Sequence, residues 1–248
     1  MAEARLEGHV YLDGHKISGS INALDLSIGC DVIDRTTIDN DTRQAMPGTK
    51  TLSASFSGFY DYSAATAVGA LIRARAGSTT DSVVGITHPA TQAEGDPAWQ
   101  FLGGVDGTPL LGGTVTGVAS LSATFHRRPG LGDARARIER FGDATTSQSS
   151  TGSQIGALGA TDVAVWSVHV WNFVGTSLDL ILESDDNAGF TSAATRDSAT
   201  RITAANSKEL RTYATAQTDD YWRISSTFVG TSYSYVVLLG GWGTQAGG

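Results

Sequence analysis

Apolar and polar residues alternate strictly over several stretches of this chain, the period expected of strands with one buried face. Leu24, Leu26 and Ile28 alternate with Asp25, Ser27 and Gly29. Leu52, Ala54 and Phe56 alternate with Ser53, Ser55 and Ser57, and Leu121, Ala123 and Phe125 with Ser120, Ser122 and Thr124. Each segment predicts a strand with one apolar face and one face of small hydroxyls. Solvated strand faces ordinarily carry Lys, Glu and Arg, and edge strands use such charges to discourage pairing. Their scarcity suits strands that pair with neighbouring subunits. One helix interrupts the pattern: Ser63 can cap it, Val68, Leu71 and Ile72 form its apolar stripe, and Arg73, Arg75 and Gly77 end it. Further strands are predicted over 82–88 and 99–103.

The alternation lapses between Cys30 and Lys50, leaving a long, charged segment. Loops longer than about 12–15 residues inside a compact domain are usually functional or disordered, and this one reads as a contact arm. Residues 133–141 predict a short charged helix. The Ser/Thr/Gly-rich stretch that follows predicts a flexible linker. The expected organisation is therefore a first domain over 1–142, a linker over 143–160, a smaller β-sandwich over 161–240 and a Gly-rich tail over 241–248. Within the second domain, 163–173 reads as a strand, Leu178, Leu180 and Leu182 mark another, and 185–189 reads as a turn. Ile202, Leu210 and Tyr213 mark weaker strands, and 221–228 with 233–239 predict a hairpin around Gly230 and Thr231. The fold class is mainly β.

Composition sharpens this picture. Only 17% of the 248 residues are charged, against about 25% in typical soluble domains. The net charge is −8 and both halves are acidic. Without a basic stripe, phosphate-neutralising DNA binding is disfavoured, while weak repulsion would let a polyanion slide past. The single cysteine, Cys30, excludes an intramolecular disulfide and a paired-Cys metal site. The N-terminus has no apolar run resembling a signal peptide, and 235–239 is too short to span a bilayer. The expected compartment is a cytoplasm, with no membrane partner.

Chemistry-bearing patterns are few. His9, His15, His88, His126 and His169 lack the spacing that places two ligands on one metal, and are expected at the surface or at interfaces. Asp185, Asn187 and Gly189 alternate as in a calcium loop, but Arg196 stands where the bidentate Glu belongs, so a β-turn is expected. The Lys50-Thr51 pair lacks a phosphate-cradling frame, and no nucleophile elbow exists. No enzyme, cofactor or metal is expected. Trp166, Trp171, Trp222, Tyr221, Tyr233 and Tyr235 gather in the second domain. They could form a platform for a host-surface glycan, but packing is favoured because aromatics bury the most area per residue.

Residues 10–14 (Val-Tyr-Leu-Asp-Gly), the Ile17-Ser18-Gly19 that follows, the alternating strand over 22–28, the charged loop ending at Gly48 and the serine-alternating strand over 51–59 occur in a telling order. With Phe59-Tyr60-Asp61 just ahead of the helix, the first 130 residues resemble the tail-tube (major tail) proteins of long-tailed bacteriophages. That resemblance implies a β-sandwich whose long strands join those of five neighbours in a hexameric ring, with rings stacked into a hollow tube for DNA ejection. By the same resemblance, Asp34, Arg35, Asp39, Asp41, Arg43, Met46 and Pro47 would contact the adjacent ring. Asp25, Ser27, Ser53, Ser55, Ser57, Ser120, Ser122 and Thr124 would face the lumen, past which DNA moves without specific binding. The implied partners are further copies of the chain and the tape-measure, tail-terminator and distal tail proteins. The implied location is the virion tail, assembled in the bacterial cytoplasm. An outer second domain would obstruct a close-fitting sheath, so a non-contractile, siphovirus-like tail is expected. The alternatives are a carbohydrate-binding module and another tail component, such as a tail completion protein.

Overall fold

The computed structural model describes residues 8–34, 45–59, 68–88, 91–105, 110–112, 119–127 and 135–241. In chain order its strands begin with β1 (His9–Leu12), β2 (His15–Lys16), β3 (Ile21–Asp34), β4 (Ala45–Phe59) and β5 (Ser82–Thr87). They continue with β6 (Pro97–Val105), β7 (Leu110–Gly112), β8 (Ser120–Arg127), β9 (Arg135–Ala144) and β10 (Ser153–Gln154). The last are β11 (Ala164–Asp185), β12 (Ala194–Ser198), β13 (Ser207–Tyr213) and β14 (Tyr221–Gly240). One α-helix, α1 (Val68–Arg75), lies between β4 and β5. The protein is thus mainly β with antiparallel pairing, as the alternation predicts.

The chain divides into two units, and both are discontinuous in sequence. One comprises residues 1–19, 82–102 and 130–247, the other 20–81 and 103–129. The division expected at 143–160 is not where the contacts part. Residues 133–141 were expected to form a charged helix; instead 135–141 belong to β9, which pairs with β14 from Tyr233↔Ala144 to Gly240↔Ala136. The stretch read as a flexible linker is tied down: Ser150 N–H donates to Ile224 O at 2.9 Å, and Ser153 pairs with Trp222. Small polar side chains there serve as hydrogen-bonding groups against a sheet, which composition alone does not distinguish from a tether.

In the larger unit the strand order is β12-β11-β14-β9-β6-β5-β1-β2, with β10 on β14 and β13 on β11. Here β11 and β14 are single strands of 22 and 20 residues, paired along their whole lengths. The hairpin expected around Gly230 does not form. Register shifts between Val170 and Ser177 absorb the glycines, so the polar interruption is a bulged bend within two continuous strands. The Trp166, Val168 and Val170 face of β11 packs with Leu178, Leu180, Leu182, Trp222 and Ile224. On the opposite side, Val236 and Leu238 of β14 pack with Tyr11, Ala98 and Ile138. Burial on both sides explains the unbroken apolar run over 235–239.

The smaller unit holds a three-stranded sheet, β3-β4-β8, with β7 on the outer edge of β8 and the last residues of β6 also pairing with it. The charged loop is shorter than its composition suggests, because β3 runs to Asp34 and β4 starts at Ala45. Leu52, Ala54, Phe56, Leu121, Ala123 and Phe125 are buried on one face, with the Phe56 and Phe125 ring centroids 5.4 Å apart. Val68 and Ile72 of α1, both buried, line a small crevice with Phe56 and Leu121. Gly77 adopts φ 72° just past the helix, the left-handed conformation its stop position requires. Ser63 lies outside the described residues.

Candidate functional site

The hydroxyl-bearing residues converge on one face. Register places Asp25 opposite Ser55 and Ser55 opposite Thr124, so one row crosses β3, β4 and β8. The neighbouring rows are Ser27, Ser53 and His126, then Ala23, Ser57 and Ser122, with Phe59 opposite Ser120 at the end. Strand pleating puts these side chains opposite the Phe56 face. Asp25, Ser27 and Ser120 are exposed, whereas Ser53, Ser55, Ser57, Ser122 and Thr124 are half-buried. Ser55 Oγ and Thr124 Oγ1 lie 2.9 Å apart, and Ser57 Oγ donates to Asn22 Oδ1 at 3.4 Å. Asp25, Ser27, Ser53, Ser55, Ser57, Ser120, Ser122 and Thr124 thus share one face of the sheet. Asn22, His126 and Phe59 belong there too. For His126 and Phe59 the signal was available, since each continues the polar parity of its strand.

The residues expected to reach a neighbouring ring are less gathered. Asp34 ends β3 and is exposed; Met46 near the start of β4 is 38% exposed. Pro47 pairs with Val32. Arg35, Asp39, Asp41 and Arg43 lie outside the described residues.

Strand β3 sits at a sheet edge and pairs, among the described residues, only with β4. Its 14 residues greatly exceed the usual strand length of about 5–6. Leu24 and Leu26 are half-buried, and Ile28 is 57% exposed although it lies opposite the buried Leu52. Among the described residues, no second strand pairs with the outer side of β3.

The larger unit carries a different surface. Arg196 pairs with Asp219 at 2.6 Å, Arg211 with Asp197 and Glu209 at 2.7 and 2.6 Å, and Arg223 with Glu183 at 2.7 Å. These ion pairs lace the polar side of the sheet with charge. Of the aromatic cluster, Trp166, Trp222, Tyr233 and Tyr235 are buried and pack in the core, whereas Trp171 and Tyr221 are half-buried. Trp171 stacks on Tyr11 with ring centroids 5.3 Å apart. A cleft of about 270 Å³ includes Thr200, Arg201, Asn206, Lys208 and Glu209. Its charges are engaged by Asp179, Asp13 and Arg211.

His169, expected at a surface, is wholly buried on β11. Its Nδ1 accepts the Gly14 N–H at 3.3 Å, and burial pushes its pKa down to about 3. Residues 185–189 form the expected turn, with Asp185 accepting N–H bonds from Asn187 and Ser192. Among the described residues no trio of His, Cys, Asp or Glu could hold a metal ion, and no helix is long and apolar enough to cross a membrane.

No protein-family model and no curated protein matches the chain. Among solved structures it is similar to a chain of the virion of a native gene transfer agent particle, at 15% identity and a TM-score of 0.41, covering 52% of this chain and 96% of that one. A chain from the tail of an empty particle of the same kind, refined with C6 symmetry, gives 16% identity and 0.40 over the same shares. The SPP1 Dit protein, described as a hub adsorption apparatus of phages infecting Gram-positive bacteria, gives 12% and 0.36, covering 94% of this chain and 98% of that one.

Proposed function

We propose that this chain is a tube-forming subunit of a non-contractile phage tail. Copies join edge to edge in hexameric rings, and stacked rings make a hollow conduit for DNA. The observation that carries this reading is the juxtaposition in the smaller unit: a long strand that pairs, among the described residues, on one side only, bordering a face of hydroxyls and one carboxylate. A lone subunit with such an edge risks uncontrolled pairing, and closure into a ring removes the edge altogether. Hydroxyl rows wet the enclosed wall without cations to grip phosphate, and Asp25 repels it. The ion-paired surface of the larger unit suits the outside of the tube. The tape-measure, terminator and distal tail proteins would meet this tube at its lumen and ends.

Negative-stain electron microscopy of the purified protein over rising concentration tests the reading. Rings or hollow tubes are expected; monomers at every concentration, even with preformed tail ends added as initiators, would overturn it.

A further inference from the structure

Between β9 and β11 the chain runs antiparallel alongside β14 as a strap, residues 146–154, that is held by acids in a particular arrangement. The pairing of β9 with β14 shifts between Val237↔Arg140 and Leu238↔Ile138, leaving Glu139 as the extra residue of a β-bulge. A bulge re-aims side chains, and this one brings two consecutive residues to the strap. Glu139, buried, accepts hydrogen bonds from the Ser150 and Ser153 hydroxyls, each at 3.0 Å. Arg140 bonds to Gln148 and to Glu94. Glu94 in turn accepts the Thr151 N–H at 2.9 Å and the Thr151 hydroxyl at 2.7 Å. Between these contacts Gly152, at φ 82°, passes so close to Phe190 that a Cβ would lie 2.4 Å from its ring. Two carboxyl groups and one guanidinium thus hold one short segment.

We propose that this strap is a pH-operated clasp, closed while Glu139 is protonated and loosened when Glu139 ionises. The groups facing Glu139 and its partners are Glu94 ahead of β6, Arg137 and Arg140 on β9, and Tyr233 and Tyr235 on β14. Burial, offset in part by the two serine hydroxyls and reinforced by Glu94, raises the Glu139 pKa to about 7. Glu94 is pulled the other way: burial raises its pKa, but Thr151 and Arg140 together lower it, so it keeps its charge beside Glu139. Because the Glu139 pKa is raised in the closed form, the closed form is favoured below the ordinary carboxyl range. That preference is lost as pH rises through about 7. The phenols of Tyr11 and Tyr235 are both pushed upward by burial and stay neutral across this window.

Amide hydrogen exchange of the full chain, corrected for intrinsic rates, reads the clasp directly at Gln148, Ser150 and Thr151, whose N–H groups bond to Ser226, Ile224 and Glu94. Between pH 6 and pH 9 their protection is expected to fall by about tenfold, the ratio set by linkage for a carboxyl opening from the raised to the ordinary pKa. Glu139→Gln cannot ionise and should hold constant protection over that range. Ser153→Ala keeps Glu139 but removes one donor to its charged form, and should move the midpoint to higher pH. Unchanged wild-type protection overturns the proposal, and so does an equal loss in Glu139→Gln. If Glu139→Gln does not fold, an unmoved midpoint in Ser153→Ala overturns it on its own.

Discussion

At the scale of single residues, His169 and Gly85 show how closely the larger unit is fitted. A Cβ on Gly85 would sit 2.9 Å from His169 Nε2 and 3.1 Å from Leu238 Cδ1, both on fully buried side chains. Gly85→Ala is expected to destabilise the fold by about 1–3 kcal/mol, the usual cost of overpacking, read from the denaturant midpoint. His169 itself imposes a pH dependence. Its folded pKa, lowered to about 3 by burial from an ordinary 6.5, means that the unfolded chain binds the proton first as pH falls. The stability it contributes is complete above pH 6.5 and is lost progressively toward the lower value. By pH 5 that loss is about 2 kcal/mol. Comparing denaturant midpoints at pH 7 and pH 5 should show it, and His169→Gln should remove this share of the slope.

At the scale of elements, β11 and β14 depend on their two glycines at the bend. A Cβ on Gly230 would meet Gly175 Cα at 2.4 Å and Val174 O at 2.6 Å, and both obstacles are backbone. Gly230→Ala is expected to cost more than Gly85→Ala, about 3 kcal/mol or above, because strands must part to admit it. A variant with unchanged thermal stability would contradict this account of the bend. In the smaller unit the same logic applies to a cavity. Phe56→Ala would remove a ring buried against Phe125 and cost about 3–5 kcal/mol. The sequence conveyed these elements unevenly. Strands β4 and β8 were legible because one buried face imposes strict alternation, and β3 because its leucines follow the same parity. Strand β9 was not, since its charges are absorbed by a bulge and by partners remote in sequence.

At the scale of the whole molecule, the two units differ in how their polar groups are satisfied. The larger one pairs many of its charges within itself, whereas the smaller one presents the hydroxyl face and the long β3 edge. Ile28→Lys tests what that edge is for. Ile28 is 57% exposed, so folding stability should change by no more than about 0.5 kcal/mol. Ring or tube formation should be abolished, because a charge on an edge strand blocks pairing with a neighbour. Retained tubes with normal stability would remove the edge from the assembly. Ser55→Lys addresses the wall: tubes should still form, but should retain DNA in a salt-dependent way.

The sequence by itself determined the β class, the hydroxyl-bearing strand faces, the one helix, and the lack of a cysteine pair or a basic stripe. Alternation and composition are local properties, and a face built from them needs only the right register to appear. Tertiary structure alone decided how the chain divides, since both units are assembled from segments distant in sequence. It also decided that 221–240 is one strand, that Trp166 and Trp222 are interior, and that Glu139, Glu94 and Arg140 meet at the strap. Each of those outcomes depends on which strands become neighbours. Pairing between remote segments is set by the packing of the whole core, and no window of residues contains it.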